Sequence, residues 1–140
     1  MAYHVQHLHS AQALDDAINR EGDEGDRLVV VRFGRGGHAD CARLDAAMAA
    51  APERIGPAAA LYAVDTDEVC DFNDMYQLFE PCTAMFFCRY RHVDVRGLRG
   101  RGRHAIDWAA YSADGFAGLV EAVHKRAKAG RFSFIIEIDD

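Results

Sequence analysis

Leu28-Val29-Val30-Val31-Arg32-Phe33 restricts the fold more than any other segment of the chain. The run is β-branched and too continuously apolar for a strand with one wet face, so it reads as a central strand buried on both sides. Such a strand needs a covering layer on each side of its sheet. It runs into the loop Gly34-Arg35-Gly36-Gly37, after which Asp40 is placed to cap a helix. That helix carries Leu44, Ala47, Met48 and Ala51 on one face and stops near Pro52. The chain is thus built around a strand, loop and helix, and the remaining segments must complete both layers.

Upstream, Ser10 is placed as an N-cap for a first helix with Ala13, Leu14, Ala17 and Ile18 at helical spacing, ending at the polar loop Glu21–Asp26. Downstream, Ala59 to Val64 reads as a second central strand between Pro57 and Asp65. Val69, Phe72, Met75, Tyr76 and Phe79 predict a short helix over about 68–79, ending before Pro81. Thr83 to Arg89 is a further strand, His92 to Val95 an antiparallel edge paired with it, and Gly97 to Arg103 a loop. Phe116, Leu119, Val120, Val123 and Ala127 form the apolar stripe of the last helix, with Gly130 as its terminator. The order αβαβαββα fits an α/β thioredoxin-like fold, a central mixed sheet flanked by helices with an antiparallel hairpin at one edge.

At 140 residues and half apolar, the chain fits a single domain burying roughly 68% of its unfolded surface. The reading is a thioredoxin-like domain over 1–130 and a C-terminal tail over 131–140. Phe132, Phe134, Ile136 and Ile138 alternate along that tail, so it either folds back on its own domain or adds to the sheet edge of a partner or second copy. No apolar run approaches the roughly 20 residues of a bilayer span, and the first nine residues resemble no secretion signal. A soluble, intracellular protein without membrane contact is expected.

The thioredoxin-type strand-to-helix junction normally carries Cys-x-x-Cys, one thiol to attack and one to resolve the mixed disulfide. Here Cys41 stands alone and position 38 is His. The scaffold is kept without the two-thiol chemistry, which argues for a binding role without catalytic residues, cofactor or small-molecule substrate. The alternative is a thiol-disulfide oxidoreductase in which Cys41 attacks, with or without Cys82. In this fold the loop before the fourth strand abuts the helix start, so Cys82 can lie beside Cys41, either as a disulfide partner or as a second reduced thiol. Pro81 is a candidate cis-proline, against a trans terminator. The cysteines at 41, 70, 82 and 88 lack zinc-site spacing, and His4, His7 and His9 read as surface or satisfied rings, so no metal is expected.

Net charge is −6, but residues 1–80 hold 6 basic and 15 acidic residues, and residues 81–140 hold 10 basic and 7 acidic. Arg89, Arg91, Arg96, Arg99, Arg101 and Arg103 crowd one hairpin and loop, and Lys125, Arg126, Lys128 and Arg131 close the last helix. These are the candidate contacts to RNA or to acidic protein surfaces; a solvated hairpin is the plain alternative.

Several blocks resemble a known family: His7-Leu8-His9, Val29 to Gly34, Asp71-Phe72-Asn73-Asp74-Met75-Tyr76, Pro81-Cys82-Thr83-Ala84-Met85-Phe86-Phe87, Ile106 to Ala109 and Arg126 to Arg131. Together they resemble the Dim/Dib family, the small thioredoxin-like protein of the U5 small nuclear ribonucleoprotein. The resemblance implies a nuclear, non-catalytic splicing factor of the U4/U6.U5 tri-snRNP. It would be held among large U5 and tri-snRNP proteins in the pre-activation spliceosome, with snRNA or pre-mRNA as further candidate contacts. The stretch Gly36-Gly37-His38-Ala39-Asp40 and the arginine-rich loop depart from the family pattern.

Overall fold

The computed structural model describes residues 5–35, 39–76, 78, 82–97 and 113–136. Along the chain these form β1 (Gln6–Leu8), α1 (Ala11–Glu24), β2 (Leu28–Gly34), α2 (Ala39–Ala50) and α3 (Pro52–Ile55), followed by β3 (Ala59–Asp65), β4 (Cys82–Cys88), β5 (Arg91–Gly97), α4 (Ala113–Lys128) and β6 (Ser133–Ile136). The six strands make one sheet in the order β1-β3-β2-β4-β5-β6. β2 lies at its centre, parallel to β3 and antiparallel to β4. All seven residues of β2 are buried, as a strand covered on both faces requires.

Alternate residues of the strands feed two cores. One face, including Val30, Leu61 and Phe86, packs against Leu44 and Met48 of α2 and Phe116, Val120 and Val123 of α4. The other, with Val29, Val31, Phe33 and Phe87, packs against Leu14 and Ala17 of α1 and the 69–78 segment. The Ser10 hydroxyl accepts from the Ala13 amide 3.1 Å away and starts α1. Gly130, at φ +89°, ends α4: Gly130 N–H reaches the Ala127 carbonyl and Arg131 N–H the Arg126 carbonyl, a reversal that left-handed glycine permits.

Three expectations are corrected. The predicted helix over 68–79 is a series of turns through Tyr76. The Asp65 carboxylate accepts from the Asp67 amide, and the Asn73 side chain donates to the Thr66 carbonyl, side-chain bonds that close turns here in place of a continuous helical ladder. Its apolar spacing instead places Phe72 over Tyr76, ring centroids 5.5 Å apart, and against Phe33. Second, β1 adds an edge strand, parallel to β3, outside the predicted order. Third, β5 is not an edge: the segment expected as a tail supplies β6, parallel to β5, so of the two fates open to it the chain folds back on its own sheet. As expected, α2 stops just before Pro52, at Ala50; Pro52 itself opens the short α3, where its missing N–H has no helical partner to lose.

The β4–β5 hairpin turns through Arg89 and Tyr90, with φ +49° and +72°. Two consecutive left-handed non-glycine residues cost roughly 1–2 kcal/mol each. Contacts offset the cost: the Tyr90 hydroxyl donates to the Asp23 carboxylate, and Arg89 pairs with Asp26 at 3.6 Å.

Candidate functional site

Because β2 ends beside the start of α2 and pairs Gly34 with Cys82, the first residue of β4, the fold brings Cys41 and Cys82 together. Both are free thiols, 2% and 8% exposed. They are hydrogen-bonded to each other, and the Cys82 thiol is pushed well above the ordinary range, mainly by burial and next by the Cys41 sulfur; nearby Arg32 opposes this more weakly. An attacking cysteine needs the reverse, an accessible sulfur with a depressed pKa. Pro81 and His38 lie outside the described residues, so the isomer at Pro81 and the setting of His38 are not described.

Under the thiols lies a pair that the sequence reading missed. Arg32, on the central strand and 6% exposed, forms a two-pronged bond to Asp45 of α2: Nε to Oδ1 at 2.8 Å and Nη2 to Oδ2 at 3.1 Å. Its remaining Nη1 donates to the Val64 carbonyl of β3 at 3.4 Å. One guanidinium therefore ties β2, β3 and α2 together beneath the junction where redox relatives of this fold keep their cysteines. The legible signal was an arginine inside an otherwise apolar strand, with an aspartate next to Leu44 on the following helix.

The basic residues divide. Arg89 and Arg91 sit at the hairpin end of the sheet, and Lys125, Arg126, Lys128 and Arg131 meet them there, because α4 ends where β6 begins and β6 runs parallel to β5. The Arg91 guanidinium lies over the Phe132 ring, 4.1 Å from its centroid, and that of Arg126 over Phe134 at 5.2 Å. Cys82 and Arg91 mark opposite ends of an antiparallel strand pair, about 20 Å apart along seven residues. Arg96 lies toward the far end of β5, and Arg99, Arg101 and Arg103 lie outside the described residues. The structure gathers one part of the predicted patch and leaves the other part undescribed.

His9, exposed after β1, contacts Glu68 at 2.7 Å, and His7 is exposed on β1. Among the described residues, no three His, Cys, Asp or Glu side chains converge to hold a metal.

Known proteins are similar to this chain in sequence or in architecture. The family described as "Mitosis protein DIM1" matches residues 4–139. The mitosis protein dim1 of Schizosaccharomyces pombe is 35% identical over 131 residues, covering 94% of this chain and 89% of that relative. The spliceosomal protein DIB1 of Eremothecium gossypii is 42% identical over 89 residues, 64% of this chain and 60% of that protein. Chloroplastic thioredoxin z superposes with a TM-score of 0.63 over 89% of this chain and 98% of its own, at 16% identity, a likeness of fold alone.

Proposed function

The chain belongs to the DIM1 family, and on that premise we propose that it is a pre-mRNA splicing factor that acts by occupying a place among larger proteins, not by catalysis. Relatives carrying the name spliceosomal protein support the process. The observation that carries the absence of chemistry is the state of the thiols. Cys41 and Cys82 are both buried free thiols hydrogen-bonded to each other, and burial raises the Cys82 pKa, so no sulfur faces solvent at the junction. In this reading Cys41 and Cys82 are a structural pair that, with Arg32 and Asp45, fixes the helix to the sheet.

The finer reading is a nuclear component of the U5 snRNP and the U4/U6.U5 tri-snRNP, present in the spliceosome before activation. Its partners are large U5 and tri-snRNP proteins, with snRNA or pre-mRNA as further contacts. The contacts would run through the basic residues that converge on the hairpin end, together with Arg96, Arg99, Arg101 and Arg103. Affinity purification of the tagged protein from nuclear extract tests this: U5 RNA should be recovered with it, and its absence at low salt refutes the reading. Insulin reduction by the wild-type protein that disappears in Cys41→Ser would restore the oxidoreductase alternative.

A further inference from the structure

We propose that the hairpin end of the sheet binds the phosphate backbone of single-stranded RNA, through Arg91, Lys125, Arg126, Lys128 and Arg131. For its natural ligand the proposal rests on the splicing reading; for its binding chemistry it rests on the surface itself.

Most other described arginines are spoken for. Arg20 donates to Tyr62, Arg27 pairs with Glu21, Arg32 with Asp45, Arg54 with Glu121 and Arg89 with Asp26. The five cations of this end have no carboxylate partner among the described residues, although the chain carries a net charge of −6. Like-charged side chains left unpaired at one place repel one another, and a polyanion relieves that repulsion while releasing its own counterions. Part of the cluster complements the carbonyl end of α4, which accounts for Lys125, Arg126 and Lys128 but not for Arg91 on β5 or Arg131 beyond the helix.

Two of the five are pre-positioned. Arg91 and Arg126 lie over Phe132, just before β6, and Phe134 within it, two rings that pack toward the same core. Stacking fixes each planar group while its N–H edges keep donors for phosphate oxygens. The surroundings favour nucleic acid over an acidic protein. A protein interface is built around an apolar or aromatic anchor, with lysine depleted at its centre. The large hydrophobic side chains exposed among the described residues are Met75, in the turns that follow β3, and Tyr90, whose hydroxyl is bound to Asp23. Neither supplies an anchor between α4 and β6.

The test is fluorescence anisotropy of the full chain with a labelled uridine dodecamer across a salt series. If all five cations meet phosphates, log affinity falls against log salt with a slope of about −3.5, so binding weakens roughly 100-fold between about 50 and about 200 mM KCl. Lys125→Gln, Lys128→Gln and Arg131→Gln combined alter three exposed side chains and should flatten the slope to about −1.4. Arg35→Gln, on an arginine already paired with Asp67 on the loop after β2, should leave it unchanged. No binding at about 50 mM KCl, an unaltered slope in the triple variant, or equal binding of a glutamate dodecapeptide overturns the proposal, the last by assigning the surface to an acidic protein segment. Failure here with U5 RNA still recovered from extract sinks this inference alone. Binding of the oligomer without recovery of U5 RNA sinks the splicing reading alone.

Discussion

Replacing Asp45 with alanine removes the acid from the Arg32–Asp45 pair and leaves a guanidinium in the sheet with the Val64 carbonyl as its remaining bonded acceptor. Breaking a fully buried pair costs about 3–5 kcal/mol, most of it the penalty of an uncompensated charge. Here the arginine side chain is 8% exposed but the aspartate 46%, so water reaches one side and the cost falls to roughly 2–3 kcal/mol. Alanine regains up to about 0.7 kcal/mol through its preference for helix at this α2 position. The net expectation is a loss of about 2 kcal/mol, seen as a fall in Tm of roughly 8 °C by calorimetry or circular dichroism. Arg32→Met in the Asp45→Ala background should recover most of that loss, because it replaces a stranded charge with an apolar side chain of similar length. Asp45→Ala within about 0.5 kcal/mol of wild type, or a double variant weaker than Asp45→Ala, would show that the pair does not join strand to helix as argued.

Three further outcomes follow from the same geometry. With Ellman's reagent under native conditions, exposed Cys70 should react quickly, and Cys41, Cys82 and Cys88 only after denaturation; fast release from more than one site would mean the thiol pocket is open. The raised Cys82 pKa means the unfolded chain gives up its proton first, so this contribution to stability is intact below about pH 8.5 and declines as pH climbs through the folded value. Urea midpoints should therefore fall more steeply on the alkaline side in wild type than in Cys82→Ala, and parallel curves would refute the assignment. A Cβ at Gly22, inside α1, would sit 2.5 Å from the Tyr90 ring. Gly22→Ala should thus gain about 1 kcal/mol from helix propensity only in a Tyr90→Ala background; in the wild type the ring must swing away from Asp23, and additive effects would disprove the contact.

Legibility followed how local the deciding physics was. β2, α1 and α4 were readable because one run or one stripe sets each: an unbroken apolar strand, a serine cap, a five-residue apolar face closed by Gly130. The turns at 66–76 were not, because their apolar spacing is helical while the segment is held as turns by the side chains of Asp65 and Asn73 bonding nearby backbone. β6 was half readable: its alternation fits a strand, but the sequence left open whose sheet would accept it. At the site, the nearness of Cys82 to Cys41 followed from the fold, and the burial of both sulfurs did not. The Arg32–Asp45 bond was written as two separate anomalies that only the approach of α2 to β2 joins.

The two ends of the sheet now divide the work. At the thiol end a guanidinium and two sulfurs face inward and Asp45 lies half-exposed against the guanidinium; each is bonded to another of the four or to backbone, so that end has little buried polar capacity left to offer a substrate. At the hairpin end, β6 closes the sheet beside β5 and in doing so turns Phe132 and Phe134 into platforms for Arg91 and Arg126. Strand pairing is therefore what assembles the cationic surface: without β6, α4 would still end in basic residues, but Arg91 would lose its ring and Arg131 its fixed exit from the helix. A truncation after Gly130 should accordingly remove salt-dependent RNA binding beyond what the loss of Arg131 alone explains, leaving a slope shallower than that of Arg131→Gln. Equal slopes for the two variants would mean that the cations act independently of the strand that positions them.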